Sequence, residues 1–518
     1  MREKFRKEIC VLRRMKFRRI IFGIFWISFV FLCALLCFSA IWYTGVFDVD
    51  DFEAVLYTLL SGVESTESDL ILQYIEDALF PCVIATCLLS LVLLVPRKIK
   101  WKINLGKRVQ FSISLYHSLL AVVLLVSVVF VMHGIKLFNI PGWLERKTQT
   151  TTIYEEEYVA PSTENVVFEN GKRNLIYIYL ESMENTFFSA EQGGALQSTV
   201  IPELYQLAEE NINFSQNESI GGGLDLAATW TAGAMTAQTS GLPLVTYHTR
   251  GEDGNEVGQN HPFLPGAKIL SDVLYENGYY QALMVGSDSN FGGRKQLYEQ
   301  HHTDKIYDLY TAREDGVIPQ DYYAWWGFED KHLFEYAKQE LVKIASQGEP
   351  FAFTMLTADT HHVGGYVCDL CQNQYAEQYE NVYACSSRQI YEFVQWIQQQ
   401  EFYENTTIVL VGDHCSMDAD YIARNVSEDY VRRVYNCIIN PAVEPKNAKN
   451  REFTTMDMFP TTLAAMGATI RGERLGLGTN LFSDVPTMAE RMGVEEWEDE
   501  LGKRSVYYIK HFTVEEGK

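Results

Sequence analysis

The amino-acid sequence predicts an α/β domain that follows a three-helix transmembrane region. Apolar residues are unevenly distributed along the 518-residue chain, and three runs of spanning length lie before residue 133. From residue 174 onward, short runs rich in β-forming residues alternate with helical patterns, which is typical of a mostly parallel sheet covered by helices. We therefore expect a membrane region over residues 1–135, a linker over 136–173 and an α/β domain over 174–518.

The three apolar runs cover residues 20–42, 79–95 and 111–132, and none contains Lys, Arg, Asp or Glu. About 20 apolar residues are enough to cross the hydrocarbon core of a bilayer. The first run is too long for the hydrophobic region of a cleaved signal peptide, and two more runs follow it. These observations predict three membrane spans.

Flanking charge predicts the orientation of these spans. Residues 1–19 carry nine Lys and Arg, the loop 97–108 carries six and no acid, and the loop 48–77 carries nine Asp and Glu and no base. Because basic flanks stay in the cytoplasm, residues after 132 are expected outside it. A re-entrant second segment would invert this orientation. The formal net charge of −24 argues against a nucleic-acid partner.

The outer domain shows four strand patterns, at residues 175–180, 280–285, 351–357 and 407–411. Helical patterns lie between them, at residues 203–211, 268–277, 333–346 and 387–401. Strands that alternate with helices form parallel sheets, whose ligands bind beyond the carboxyl ends of the strands. The preceding residues 133–172 are polar, with Pro141-Gly142 as a helix breaker, and promise no core of their own.

Side chains that suit a metal ion follow three of the four strands. Glu181 follows the first, Asp359-Thr360-His361-His362 the third, and Gly412-Asp413-His414 the fourth, with Gly412 allowing a turn. Carboxylates and imidazoles bind hard or borderline divalent cations. Taken singly, Glu181 or Asp413 could instead cap the helix that follows it.

A glycine-rich segment, residues 221–243, predicts a helix that begins near Thr231. The free N–H groups of a first helical turn suit a phosphoryl group, and a hydroxyl beside a metal could act as a nucleophile. The candidate hydroxyls are those of Thr229, Thr231, Thr236, Thr239 and Ser240. For Thr229 or Thr231, the alternative is that the side chain only caps the helix.

Three of the ten cysteines, Cys368, Cys371 and Cys385, lie close together in the outer domain sequence. Cys368-x-x-Cys371 could be half of a zinc site, but no partner pair of the right spacing follows. Outside the cytoplasm, a disulfide among these three is the favoured interpretation.

Residues 174–182 read N-L-I-Y-I-Y-L-E-S, residues 229–233 read T-W-T-A-G and residues 412–414 read G-D-H. Together they resemble the alkaline-phosphatase/sulfatase superfamily, and more closely its membrane-bound branch of lipoteichoic acid synthases and phosphoglycerol transferases. The resemblance covers most of residues 174–482 and implies an α/β/α sandwich. It also implies that one Mn²⁺ or Mg²⁺ is bound by four residues, Glu181, Thr231, Asp413 and His414. In the same resemblance, Thr231 is the nucleophile.

Further positions extend the resemblance. The substrate-binding His of the family falls on His361, and an Arg that contacts phosphoglycerol falls on Arg294 in N-F-G-G-R-K, where the accompanying Trp is missing. Residues 455–461, T-M-D-M-F-P-T, resemble a D-x-x-P-T helix start. No cysteine lies between Cys87 and Cys368, so the modified Cys of sulfatases is absent and sulfate hydrolysis is disfavoured.

What the resemblance implies is a multi-pass enzyme of a bacterial cell membrane with an extracytoplasmic catalytic domain. Its donor would be a phospholipid such as phosphatidylglycerol, and its acceptor a hydroxyl of a glycan or a glycerophosphate polymer. Phosphoethanolamine transfer and phosphodiester hydrolysis use related sites and stay open as alternatives. An inactive membrane sensor or binding module is the non-enzymatic alternative, and the joint presence of Glu181, Thr231, Asp413 and His414 argues against it.

Overall fold

The structure, a computed structural model, describes residues 2–47, 52, 55–56, 68–104, 110–169, 171–245 and 264–514. Much of the acidic loop 48–77 and the last part of the basic loop 97–108 therefore lie outside the described residues. Apart from residues 51–66, which are grouped with the second unit, the chain forms one compact unit up to Gly142 and another from Trp143 onward.

The N-terminal unit contains three helices that are long and apolar enough to cross a membrane, Phe17–Val46, Ile71–Leu94 and Leu115–Leu137. The first is the apolar part of α1 (Arg2–Val46). The second combines α2 (Ser68–Tyr74), a π-helical turn, α3 (Phe80–Ser90) and a 3₁₀ turn. The third is α4 (Leu115–Leu137). The three predicted runs coincide with these helices except at Val95 and at residues 111–114.

Residues 111–114 belong to a strand and not to the third helix. Strands β1 (Lys100–Asn104) and β2 (Gln110–Ser114) pair in antiparallel register. Their sequences, K-W-K-I-N and Q-F-S-I-S, alternate polar and apolar residues, which favours a strand over a helix. The apolar content of residues 111–114 concealed this alternation.

The predicted linker is more structured than its polar composition suggested. It contains α5 (Ile140–Thr148), α6 (Ile153–Glu157) and β3 (Val166–Val167). Pro141 lies in the first turn of α5, where a proline needs no N–H partner. In α6, Ile153 and Tyr154 are buried, and Tyr154 packs edge-on against Tyr508 with ring centroids 5.3 Å apart. The linker thus contributes to the core of the second unit.

The second unit is built on a six-stranded sheet with the order β6-β5-β7-β4-β8-β9. All neighbouring pairs are parallel except β8 and β9. The four predicted strands are the four inner ones, and the two missed strands form the edges. The bounds are β4 (Asn174–Leu180), β5 (Tyr280–Val285), β6 (Lys305–Tyr307), β7 (Phe351–Leu356), β8 (Thr406–Gly412) and β9 (Asn436–Ile439).

Helices cover both faces of this sheet, which confirms the predicted α/β fold. Three residues of β4, Ile176, Ile178 and Leu180, pack in one apolar cluster with α12 (Asp330–Ala345) and α13 (Gln378–Gln398). The ring centroids of Phe334 in α12 and Phe393 in α13 lie 5.0 Å apart. Tyr177, on the opposite face of β4, donates a hydrogen bond to Gln238 of α8 (Thr231–Ser240). Strand β4 is buried throughout because apolar groups meet it on each side.

The four predicted helices correspond to α7, α9, α12 and α13, although α13 begins nine residues earlier than expected. Besides these elements, the unit has a small hairpin of β11 (Arg474–Leu475) and β12 (Gly478–Thr479), and β10 (Thr469–Ile470) pairs with β3. The helices are α7 (Pro202–Glu210), α8 (Thr231–Ser240), α9 (Leu270–Glu276), α10 (Arg294–Gln300), α11 (Leu309–Glu314), α12 (Asp330–Ala345), α13 (Gln378–Gln398), α14 (Ala419–Asn425), α15 (Met458–Ala465), α16 (Met488–Met492), α17 (Val494–Gly502) and α18 (Val506–Phe512).

Candidate functional site

The carboxyl ends of β4 and β8 bring two acidic side chains to one edge of the sheet. The two strands are parallel neighbours with Leu180 opposite Gly412, so Glu181 and Asp413 follow at the same level. Gly412 is needed here for close approach, because a Cβ at this position would lie 1.9 Å from the carbonyl oxygen of Met183. The sequence argument assigned Gly412 to a turn, and the structure corrects this to a steric requirement.

Glu181, Asp413 and His414 form a buried cluster, with exposed fractions of 2%, 0% and 1%. One potential ligand atom from each lies within 4.8 Å of the others. His414 Nε2 is 3.4 Å from Asp413 Oδ2 and 3.6 Å from Glu181 Oε1. His414 Nδ1 donates to the carbonyl oxygen of Cys415 at 2.8 Å, which leaves Nε2 as the metal-binding nitrogen.

The hydrogen bonds of Asp413 orient its carboxylate. The backbone N–H groups of Ser182 and His414 both donate to Asp413 Oδ1 at 2.8 Å. Asp413 Oδ2 is buried and accepts no hydrogen bond from the described residues. A buried carboxylate oxygen without a donor is expensive unless a cation binds it, so this atom marks a position that fits a metal ion.

The electrostatics of the cluster also fit a divalent cation. Burial and the neighbouring Asp413 carboxylate raise the pKa of Glu181 to about 8. Burial lowers the pKa of His414, but the carboxylates of Asp413 and Glu181 outweigh it and the net shift is upward. Two carboxylates and one imidazole in a buried space lack positive charge, and their oxygen and nitrogen donors suit a hard or borderline cation.

Thr231 is the first residue of α8, and its hydroxyl faces the same cluster. Thr231 Oγ1 lies 3.4 Å from His414 Nε2 and 3.5 Å from Glu181 Oε2. Three of the other candidate hydroxyls bond instead to carbonyls within α8, at 2.6–2.8 Å, and these belong to Thr236, Thr239 and Ser240. Thr229 Oγ1 is buried and has no hydrogen-bond partner in the part of the chain that the structure describes. Of the five candidates, Thr231 is therefore the one whose described contacts reach the cluster.

Gln238 holds α8 against the end of β8. Its Nε2 donates to the carbonyl oxygens of Gly412 at 3.0 Å and of Asp413 at 3.3 Å, and its Oε1 accepts from Tyr177 at 2.8 Å. This fully buried amide ties the helix that carries Thr231 to the strand that carries Asp413. Sequence reasoning missed it, and its only signal was a lone Gln in a helix of small residues.

An ion pair between the buried Glu184 and the half-buried Arg432 supports the segment after His414. Arg432 donates to both oxygens of Glu184, at 2.6 and 2.9 Å, and the backbone N–H of Ser416 also donates to Glu184 at 3.0 Å. Asp225 accepts from the backbone N–H of Cys415 at 2.9 Å. Sequence reasoning missed these residues, although Glu184 follows Glu181 by three positions.

His361 and Arg294 lie within electrostatic reach of the cluster. Burial lowers the pKa of His361 to about 4, and the charges of His414 and Arg294 act in the same direction. His361 Nδ1 donates to the carbonyl oxygen of His362 at 2.7 Å, so the neutral ring presents Nε2 as an acceptor. Arg294 is 7% exposed and donates to Ser287 Oγ at 3.0 Å, so it is built into the fold.

Trp326 is a further aromatic residue beside His361. Its ring centroid lies 4.7 Å from that of His361 and 5.4 Å from that of Phe291. The Arg294 guanidinium lies 5.5 Å from the same Phe291 ring. Sequence reasoning missed Trp326 because it lies in an irregular segment between α11 and α12.

Comparisons with known proteins agree with these features. A model of the sulfatase family matches residues 173–468, which include all six predicted site residues. Phosphoglycerol transferase I of Xanthomonas campestris pv. campestris is 30% identical over 331 residues, or 61% of this chain and 44% of the relative. The chain therefore spans less than half the length of that curated relative.

Two solved structures are also similar. Lipooligosaccharide phosphoethanolamine transferase A of Neisseria meningitidis matches 86% of this chain and 84% of its own, at 10% identity and a TM-score of 0.46. A phosphoglycerol transferase of Streptococcus pyogenes in complex with sn-glycerol-1-phosphate matches 64% of this chain and 84% of its own, at 15% identity and a TM-score of 0.40.

Proposed function

The chain belongs to the sulfatase family, whose model matches more than half of its residues, and on that premise we propose that it is a membrane-bound phosphotransferase. It transfers phosphoglycerol from a phospholipid such as phosphatidylglycerol to a hydroxyl of a glycan or glycerophosphate polymer. The observation that carries this proposal is the position of the Thr231 hydroxyl, which faces Glu181 and His414. Asp413 Oδ2, which accepts no hydrogen bond from the described residues, belongs to the same cluster.

The proposed metal ligands are Glu181, Thr231, Asp413 and His414. When bound there, Mn²⁺ or Mg²⁺ would screen the phosphate charge and lower the pKa of a nearby hydroxyl. Oxygen and imidazole donors suit either ion. The free N–H groups in the first turn of α8 would face the phosphoryl oxygens, since a helix N-terminus favours anions.

The reaction has two steps on the same threonine. In the first, a bond forms between Thr231 Oγ1 and phosphorus as the bond between phosphorus and the diacylglycerol oxygen breaks, and the threonine proton ends on diacylglycerol. In the second, the acceptor hydroxyl attacks phosphorus, loses its proton and releases Thr231 with its hydroxyl restored. Neutral His361 can carry these protons through Nε2, while Arg294 orients the phosphoglycerol group.

We propose the donor and the location from independent observations. The name of the Xanthomonas relative supports phosphoglycerol as the transferred group. The three apolar helices and the basic flanks support a multi-pass protein of a bacterial cell membrane, with the sheet-containing unit outside the cytoplasm. A phospholipid donor suits this location, because the membrane itself contains it and its transfer requires no nucleotide.

The test uses the full chain in detergent micelles with phosphatidylglycerol labelled in its glycerol headgroup. The wild type should release diacylglycerol and carry label on Thr231, and Thr231→Ala should do neither. Thr236→Ala is the matched control, because it removes a helix hydroxyl that bonds only to the Ala232 carbonyl at 2.8 Å, and it should keep activity. Undiminished release by Thr231→Ala would exclude the proposed nucleophile.

The mass of the trapped adduct identifies the donor. A glycerophosphoryl group on Thr231 supports the proposal, and a phosphoethanolamine group obtained only with phosphatidylethanolamine would replace the donor. Quantitative formation of free glycerophosphate in the presence of glycan acceptors would identify a hydrolase instead.

A further inference from the structure

Three cysteine sulfurs meet in the second unit, outside the Thr231 cluster. Cys368 Sγ lies 3.7 Å from Cys371 Sγ and 3.7 Å from Cys385 Sγ. Cys368 and Cys385 are buried, Cys371 is half-buried, and all three are free thiols. The sequence favoured a disulfide among them, and the structure shows no such bond between these residues.

The spacing of the sulfurs distinguishes two arrangements. A disulfide joins two sulfurs at about 2.0 Å and leaves the third thiol unused, whereas Cys368 is equally distant from both of its neighbours. Sulfurs that share a tetrahedral zinc ion at about 2.3 Å are about 3.8 Å apart. The observed separations of 3.7 Å match this tetrahedral edge.

An amide N–H group also lies against one of the three sulfurs. Gln389 Nε2 donates to Cys385 Sγ at 3.5 Å. Donors of this kind stabilise negative charge on sulfur, which is the form that binds metal.

A cation also lies between the two segments that supply the sulfurs. Arg388 donates to the carbonyl oxygen of Leu370 at 3.2 Å and to that of Ala384 at 3.1 Å. Each of these carbonyls belongs to the residue that directly precedes one of the cysteines, Cys371 or Cys385. Three thiolates and a divalent ion carry one net negative charge, and a neighbouring guanidinium offsets it.

We propose that Cys368, Cys371 and Cys385 bind one thiophilic divalent cation of the zinc class, with water as the fourth ligand on the partly exposed side of Cys371. Three thiolates select a soft ion, whereas the oxygen and imidazole donors near Thr231 select a harder one. The two sites therefore take different metals.

This second site is structural. Residues 357–377, which join β7 to α13 and include His361, contain no helix or strand. Cys368 and Cys371 lie in this segment, and Cys385 lies on α13. A bound cation ties the segment that carries His361 to a rigid helix, in the way that a cross-link shortens a long loop.

Zinc content and cobalt substitution test the site in the full chain purified in detergent. The wild type should retain about one equivalent of zinc after dialysis, and after replacement by Co²⁺ it should show an intense thiolate-to-cobalt charge-transfer band. The cluster near Thr231 contains no sulfur ligand, so Co²⁺ bound there adds no such band. The Cys371→Ser/Cys385→Ser double variant should lose both the zinc and the band.

Cys437→Ser is the matched control, because Cys437 is buried and donates to the Leu207 carbonyl at 3.4 Å instead of to another sulfur. It should keep the zinc and the band. A wild-type protein that lacks the band, or whose mass spectrum shows a disulfide among the three cysteines, overturns the proposal however the variants fold. The outcome is independent of the Thr231 assay, because it measures metal content and not transfer.

Discussion

The substitution Asp413→Asn removes one negative charge from the buried pair of carboxylates, Glu181 and Asp413, and preserves the shape of the side chain. The amide oxygen can still accept the N–H groups of Ser182 and His414, both at 2.8 Å in the wild type. The second oxygen, which accepts no hydrogen bond from the described residues, becomes an NH₂ group that can donate to Glu181. We therefore expect the metal-free variant to be more stable than the metal-free wild type.

The size of the effect follows from the distance between the carboxylates. Two unit charges within 4.8 Å repel by about 3 kcal/mol at an effective dielectric constant of about 20. Unfolding of roughly 340 residues carries an entropy of about 2.1 cal/mol/K per residue, so this repulsion corresponds to about 4 °C in Tm. Saturation with metal at about 100 times Kd should raise the wild type by about 2.7 kcal/mol and the variant hardly at all.

The pH dependence of stability provides a second test of the same substitution. The folded-state pKa of Glu181 is raised from 4.5 to about 8 by burial and by Asp413. A raised carboxyl pKa means that the metal-free wild type loses stability as pH rises from about 4.5 through about 8. The advantage of Asp413→Asn should thus be larger at pH 9 than at pH 6, because Glu181 carries its proton at the lower pH.

The assay is the Tm of the full chain in detergent, with EDTA or with Mn²⁺, at both pH values. Asp457→Asn is the control, because Asp457 is also buried and accepts backbone N–H groups from Thr454 and Thr479 at 2.8 and 2.7 Å. It should lower Tm equally with and without metal. Metal stabilisation of Asp413→Asn equal to that of the wild type would refute the reasoning.

Two further substitutions test the support of the site. Gly412→Ala places a Cβ 1.9 Å from the Met183 carbonyl oxygen and should cost about 3 kcal/mol of stability, measured as a lower Tm. Gly45→Ala is the control, because no described atom lies within 4 Å of the added Cβ, and it should leave Tm unchanged. Glu184→Ala removes the carboxylate partner of Arg432 at 2.6 Å and should cost about 3–5 kcal/mol, and an unchanged Tm would show that the pair contributes nothing.

The inner part of the fold was predictable because its signals are local. β4 and β8 are runs of β-branched and aromatic residues that are buried throughout, so their composition alone predicts strands. The start of α8 near Thr231 follows from glycines that give way to small helix formers. The polar residues that follow the strands then meet at one edge because parallel strands share a direction.

The remaining features depend on long-range packing that no short pattern records. Edge strands β6 and β9 have three and four residues, too few to show a period. Arg432 pairs with Glu184 across 248 positions, and Trp326 reaches His361 from an irregular segment. The equal distances from Cys368 Sγ to two other sulfurs are likewise a three-dimensional property. The sequence shows only where the cysteines lie along the chain, so the expected compartment decided the prediction and favoured a disulfide.

The adjacency of β4 and β8 has a consequence for biosynthesis. Asn174 pairs with Thr406, so 232 residues separate neighbouring strands, and such pairings form late. A nascent chain that has emerged only as far as β7 already carries Glu181 and Thr231 but neither Asp413 nor His414. During that interval Thr231 lacks two of the four side chains that the proposed mechanism requires, so the proposed chemistry cannot begin before β8 and His414 have emerged.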